Sequence, residues 1–184
     1  MSLDRAPRLE SNRLVLRAHE TRDYEAFAQM WTDPLVLQYT IVEPRSAQDA
    51  WMTMHRLLGS WPLLGYGYWG LELKSTQTYV GDAGFMDAMR PSTPDKRGIP
   101  EIGYALASPY HGQGLMSEAL DAIHRWWDEE LPGTETFALI DDDNPGSVCV
   151  AKKCGYAFER RADTDDRQSG LYTRKPLSFA QTAD

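Results

Sequence analysis

The sequence predicts one mixed α/β domain spanning residues 1–184. Three features point there. Segments of period-two and period-3.6 apolar spacing alternate along the chain, as in sheets packed against helices. The stretch from Glu101 to Ile140 reads strand, glycine turn, amphipathic helix, strand, the order of a parallel crossover. Hydrophobic residues make up 42% and charged residues 25%, a globular balance in a chain long enough to bury a core without staples.

The elements follow in order. Arg13–Arg17 is short, apolar and bounded by polar residues, so it reads as a strand. Thr21 is placed to cap a helix carrying Tyr24, Phe27, Ala28 and Trp31 on one face, stopped by Asp33-Pro34. Ser46 caps a second helix with Ala50, Trp51, Met54, Leu57 and Leu58 inward, expected to end at Trp61-Pro62. Strands 66–73 and 79–85 flank a turn at 74–77. The run from Arg90 to Pro100 holds three prolines and a glycine, which excludes regular structure. A strand at 101–106 and a glycine turn precede a helix with Met116, Ala119, Leu120, Ile123, Trp127 and Leu131 inward, ended by Pro132-Gly133. Strand 136–140 follows, then a helix with Asn144 as cap, Pro145 at its first position and Gly155 past its end. Strands 156–161 and 170–174 close the chain. The count is about six or seven strands and about four helices.

Lys+Arg number 19 and Asp+Glu 27, so the net charge is 19 − 27 = −8. An acidic chain is a poor nonspecific ligand of nucleic acid or anionic membrane. It suits a cationic substrate, and an anionic ligand must be held locally. No apolar run reaches the ~18–20 residues of a membrane span, and residues 1–8 carry no signal-peptide core. The expected location is cytoplasmic. Cys149 and Cys154 exclude a disulfide framework by number and read as reduced core thiols. No His, Cys or acid cluster has ligand spacing, so no metal is expected.

The chemistry-bearing stretch is Ser108-Pro109-Tyr110-His111-Gly112-Gln113-Gly114-Leu115-Met116. A helix N-terminus presents unpaired N–H groups and partial positive charge, and glycines let an anion touch the backbone. Together they can hold phosphate without lysine or arginine. The segment lacks both the Gly-Lys-Ser/Thr of a Walker loop and the third glycine of a dinucleotide fingerprint, and a ligand-free tight turn fits it equally well.

The chain resembles GNAT-fold N-acetyltransferases, of the branch similar to ribosomal-protein N-terminal acetyltransferases. The resemblance rests on Leu9–Arg17, Val80–Phe85, Glu101–Leu106 with Tyr110–Ala119, and Asn144–Ser147 with Lys153 and Gly155-Tyr156. It implies acetyl-CoA as donor cosubstrate and an amine acceptor, a small molecule or a peptide N-terminus, with no nucleic acid or membrane partner, in a monomer or homodimer. It also implies a splayed parallel strand pair, Glu101–Ala107 and Thr136–Ile140, holding the acyl-CoA arm. Backbone groups of Leu106 and Ala107 would meet pantetheine, those of His111, Gly112, Gln113, Gly114, Leu115 and Met116 the pyrophosphate, and Asn144 the arm's other side. Ala151 stands where many relatives carry a tyrosine general acid, which makes Ser147 the candidate proton donor.

Acetyl transfer to an amine needs a proton acceptor, an N–H at the developing oxyanion and a donor to the leaving thiolate. Glu101, at the head of the strand bearing the oxyanion N–H, is the candidate base, although an acid at a strand edge is ordinarily just solvated. Glu118 is expected to serve the helix dipole, His124 to face solvent, and Asp141–Asp143 to form a solvated turn or attract a cation. The competing readings are an acyl-CoA-binding module of the same fold that has lost catalysis and acts as a sensor or interaction domain, and an ordinary α/β domain whose glycine turn is only a turn.

Overall fold

The computed structural model describes residues 3–39, 46–164 and 167–176. Its sheet has eight strands in the order β1-β2-β3-β4-β5-β6-β8-β7. These are β1 Leu9–Glu10, β2 Leu14–Arg17, β3 Tyr68–Leu73, β4 Thr78–Met86, β5 Glu101–Leu106, β6 Thr136–Asp141, β7 Ala157–Thr164 and β8 Arg167–Arg174. The helices are α1 Tyr24–Met30, α2 Pro34–Leu37, α3 Ala47–Leu64, α4 Leu115–Glu130 and α5 Pro145–Lys153. Every strand pair is antiparallel except β5–β6, the pair joined by the α4 crossover.

Two elements exceed the sequence reading. The two-residue β1 is too short to show a period, and α2 begins where a stop was expected. Asp33-Pro34 does end α1, but the Asp33 side chain then accepts the N–H of Leu35 and caps the next helix, with Pro34 at its first position. Similarly, Pro62 does not end α3. It sits in the last turn, and the chain leaves the helix at Gly65 (φ 77°), whose N–H reaches the Trp61 carbonyl. Thr21 is not a cap either. Glu20 holds that position, in reciprocal bonds with Asp23. The Pro-rich loop contains one 3-10 turn, Pro94–Lys96, tied down by Lys96 to Glu135 and Glu159 and by Asp95 to Arg160.

The main core lies between α4 and the sheet. Trp61, Trp69, Trp126 and Trp127 stack edge-on there beside Phe85, Leu120 and Ile123. A second cluster, Phe27, Ala50, Met54 and Tyr79, joins α1 and α3 to β4. His124 belongs inside, contrary to expectation. At 5% exposure it bonds the Leu120 carbonyl through Nδ1 (2.7 Å) and the Tyr156 hydroxyl at Nε2 (3.1 Å). The carbonyl can only accept, so Nδ1 carries the proton and Nε2 accepts from Tyr156. Phe85 of β4 and Tyr156 pack edge-on against the His124 ring, which widens the buried arc past the apolar stripe read from the sequence.

Candidate active site

The site begins where β5 and β6 part. They register at one pair only, Glu101 with Phe137, whereas β5 follows β4 over six residues. Backbone groups of a strand alternate sides. The N–H of Phe137 donates to the Pro100 carbonyl (3.1 Å), and the N–H of Ala107 donates to Val80 on β4 (2.9 Å). Odd residues of β5 therefore bond β4, while Tyr104 and Leu106 turn their N–H groups into the gap; across it stands the backbone of Leu139. The Leu106 carbonyl is taken by His111 Nε2 at 2.7 Å, so that ring nitrogen is the donor.

Two of the expected donor contacts are narrowed by bonds within the chain. The Ala107 N–H serves Val80, so its backbone can offer only the carbonyl, which already accepts once, from Tyr110. His111 cannot offer its N–H, which donates to the Ser108 carbonyl (3.1 Å). The amides that remain open run from Gly112 to Met116. Those of Gly112, Gln113 and Gly114 meet no acceptor among the described residues, and those of Leu115 and Met116 lie in the first turn of α4, where none exists within the helix. Gly112 (φ 72°) and Gly114 (φ 76°) hold the left-handed conformations that aim them outward.

The loop is braced from the opposite edge of the sheet. Glu118 accepts from the Arg13 N–H (2.6 Å), Arg13 Nε (2.8 Å) and Ser11 Oγ (2.7 Å), and Arg13 Nη1 donates to the Gln113 carbonyl (3.0 Å). Glu118 thus fastens α4 to the β1–β2 turn, a more specific duty than dipole neutralisation.

A cavity of about 840 Å³ runs from the strand gap to the underside of α1 and α3. At the gap end its walls are Tyr104, Leu139, Asn144 and Ser147. Asn144 caps α5 by accepting the Ser147 N–H at 2.9 Å, and the Tyr104 hydroxyl donates to the Ser147 carbonyl at 3.0 Å. Burial pushes the Tyr104 phenol up, which keeps it a donor. At the helical end stand Phe27, Trp31, Thr53 and Leu57. Between the ends lie Glu101, Gly103, Tyr68, Asp82 and Arg90. Glu101 is not a solvated edge acid. It is 3% exposed and accepts two bonds from Arg90, at 2.8 and 2.9 Å. Burial first, then the charges of Asp82 and Glu101, push the Tyr68 phenol well up.

The acetyltransferase (GNAT) domain family matches residues 13–157. The chain belongs to the GNAT acetyltransferase family. A GNAT-family protein from Bordetella pertussis superposes with TM-score 0.81 at 24% identity, over 92% of this chain and 99% of that one. RimL, a ribosomal L7/L12 α-N-protein acetyltransferase solved with coenzyme A, superposes with TM-score 0.75 at 21% identity, over 92% and 98%. Among sequence relatives, YkkB of Bacillus subtilis (strain 168), itself uncharacterised, is 28% identical over 91% of this chain and 95% of its own length.

Within this GNAT domain the residues singled out from sequence fall at two places. Gly112–Met116 form the open loop; Leu106, Asn144, Ser147 and Glu101 line the gap and cavity. Other expectations shift. Cys149 is exposed rather than a core thiol, and Cys154 is half-buried, with its thiol pushed up to about 11 by burial. Asp142 pairs with Arg161, and Asp141 reaches the cavity wall. Ala151, where a tyrosine proton donor would stand, is fully buried in the core. Among the described residues no group of three or more His, Cys, Asp or Glu could hold a metal, and no helix is long and apolar enough to cross a membrane. Sequence reasoning missed Tyr68, Asp82 and Arg90. Asp82 had a signal, a carboxylate amid the apolar strand Tyr79–Phe85; Arg90 had none, since its partner is set by how the loop folds back.

Proposed function

We propose that this protein transfers the acetyl group of acetyl-CoA to a primary amine by direct attack within a ternary complex. One observation carries the reading: a single cavity joins the gap between β5 and β6 to a helix-lined chamber, with Glu101 at the junction. The residues present fit the donor. The amides of Gly112–Met116 suit a pyrophosphate, the free strand groups of Tyr104 and Leu106 an amide-bearing pantetheine arm, and Asn144 the arm's far side. The donor brings a thioester, which is activated enough to need no covalent enzyme intermediate.

The chain's own residues then do four things. The N–H of Tyr104 faces the gap, where negative charge develops on the carbonyl oxygen, and that of Leu106 is left to the pantetheine arm. Glu101, directly or through water, accepts the amine proton, while the two bonds from Arg90 fix its orientation. Ser147 lies at the first turn of α5 on the cavity wall, with its N–H and carbonyl held by Asn144 and Tyr104, and its hydroxyl serves the leaving thiolate. The chamber under α1 and α3 receives the amine. Calorimetry with acetyl-CoA and amine-dependent thiol release test this. Binding with turnover that falls ~10²–10⁴-fold in Glu101→Gln supports it. Absence of acetyl-CoA binding by the folded protein contradicts it.

A further inference from the structure

The charges in the cavity wall are divided between its two sides. The carboxylates belong to the sheet: Asp82 on β4, Asp87 just past that strand, Glu101 at the head of β5 and Asp141 at the end of β6. Each already holds a bond within the chain. Asp82 accepts from the Tyr79 hydroxyl (3.0 Å), Asp87 from the Met89 N–H (3.3 Å), Glu101 from Arg90 (2.8 and 2.9 Å) and Asp141 from the Asp143 N–H (2.8 Å). The helix side carries the opposite sign. Residues three and four apart on α3 share a face, and Thr53, Arg56 and Ser60 turn that face to the cavity. The Ser60 hydroxyl donates to the Arg56 carbonyl (3.1 Å). The Arg56 guanidinium makes no hydrogen bond or ion pair among the described residues. The other arginine of the wall, Arg90, is held by both oxygens of Glu101.

Arg56 is exposed, and an exposed arginine needs no partner but water. Two features set this one apart. It stands in a recess whose other side bears four acids, and it pairs with none of them. Its charge also reaches the middle of the cavity. Burial, and after it Asp82 and Glu101, push the Tyr68 phenol well up, while Arg90 and Arg56 pull the other way. A Cβ on Gly103 of β5 would overlap that phenolic oxygen, so the field of Arg56 extends to the strand that borders the gap. A guanidinium presents a planar fork that meets a carboxylate at two points. The acids of the sheet side repel a carboxylate and attract an ammonium. A single molecule satisfies both sides if it carries both charges.

We infer that the acceptor carries a carboxylate close to its amine, as an amino acid does, with the carboxylate on Arg56 and the nitrogen on the sheet side near Asp82 and Glu101. This rests on the transferase reading above and narrows it to a substrate class. A free amino acid offers this pair of charges, and so does a peptide N-terminus followed by an acidic residue. Arg56 reads the carboxylate and takes no part in holding the donor.

The test is thiol release from acetyl-CoA with L-alanine, L-methionine, L-phenylalanine and L-glutamate, each beside its α-carboxamide, and with amidated hexapeptides that begin Ser-Asp and Ser-Asn. Calorimetry of acetyl-CoA binding accompanies it. The expected result is a kcat/KM about 10–100-fold higher for the carboxylate member of at least one pair, as for a hydrogen-bonded contact between charged groups. A preference among the amino acids assigns the free zwitterion; one confined to the hexapeptides assigns the acidic peptide. Arg56→Gln, at an exposed position, should erase the preference by raising the KM of the carboxylate acceptor. Turnover of the carboxamide and the KM for acetyl-CoA should stay unchanged. Equal turnover within every pair overturns the acceptor class and leaves the transferase reading standing. So does a preference that survives in Arg56→Gln, and so does acetyl-CoA binding without turnover of any carboxylate acceptor. Failure to bind acetyl-CoA overturns both readings.

Discussion

Ser147 is held by its backbone at both ends, its N–H by Asn144 and its carbonyl by the Tyr104 hydroxyl, while its own hydroxyl keeps no partner among the described residues. A group fixed this way is set to bond something that arrives in the gap. If that is the leaving thiolate, the bond is stronger in the transition state than in the ground state, so its loss belongs in kcat. Ser147→Ala is expected to lower kcat about tenfold to a hundredfold with the acetyl-CoA KM nearly constant; a folded variant with undiminished kcat rejects the role. The buried histidines make a second expectation at this scale. Burial pushes both His19 and His124 down to about 4. His19 therefore stays neutral and forms no ion pair with Asp82, 4.0 Å away. The folded pKa lies below the unfolded value of about 6.5, so between these limits the unfolded chain binds more protons. Stability should fall as pH drops from about 6.5 to about 4, by on the order of 3 kcal/mol for each histidine. Urea unfolding across this range measures it. His124→Gln should flatten the slope, and an unchanged slope in that variant removes His124 as its source.

At the scale of elements, the donor site proposed for the turn into α4 rests on backbone geometry alone. Gly114 sits at φ 76° with Arg13 Nη2 3.7 Å from where a Cβ would stand, and the amides beyond it are open. Gly114→Trp should abolish acetyl-CoA binding with the fold retained, at a conformational cost of about 1–2 kcal/mol; wild-type affinity in a folded Gly114→Trp protein contradicts the loop's assignment. This unit was the most legible part of the sequence. Strand, glycines, amphipathic stripe and the Asn144-Pro145 cap are local signals, and each sets its own structure. What stayed illegible depends on distant partners. Asp33-Pro34 and Pro62 look like stops until the neighbouring turn is known. The His124 position cannot be told from sequence because Phe85 and Tyr156, both distant in the chain, cover it. The N–H groups of Ala107 and His111 are taken by bonds to Val80 and Ser108. Glu101 could be nominated from the strand it begins, but Arg90, eleven residues earlier across a proline-rich loop, could not.

Taken whole, the molecule is an acidic GNAT domain whose proposed anion site is neutral backbone and whose cavity is walled by carboxylates, two arginines, aromatic rings and leucines. On the proposed function, that division lets one chain of net charge −8 hold a phosphorylated donor on backbone amides while its overall field favours a cationic acceptor. Donor binding should also stabilise the fold, by about 2.7 kcal/mol at a hundred times the dissociation constant, because the unfolded chain has no gap or loop to bind it. A thermal shift that rises with acetyl-CoA concentration measures this, and its absence at saturating donor contradicts the site. The central claim is that donor and acceptor meet in one cavity, without an acyl-enzyme between them. Initial velocities with acetyl-CoA and an amine varied together test that most directly. Intersecting double-reciprocal lines, with no coenzyme A released before the amine is added, are the expected result. Parallel lines with a stoichiometric burst of thiol in the absence of amine would place the acetyl group on the protein and contradict it.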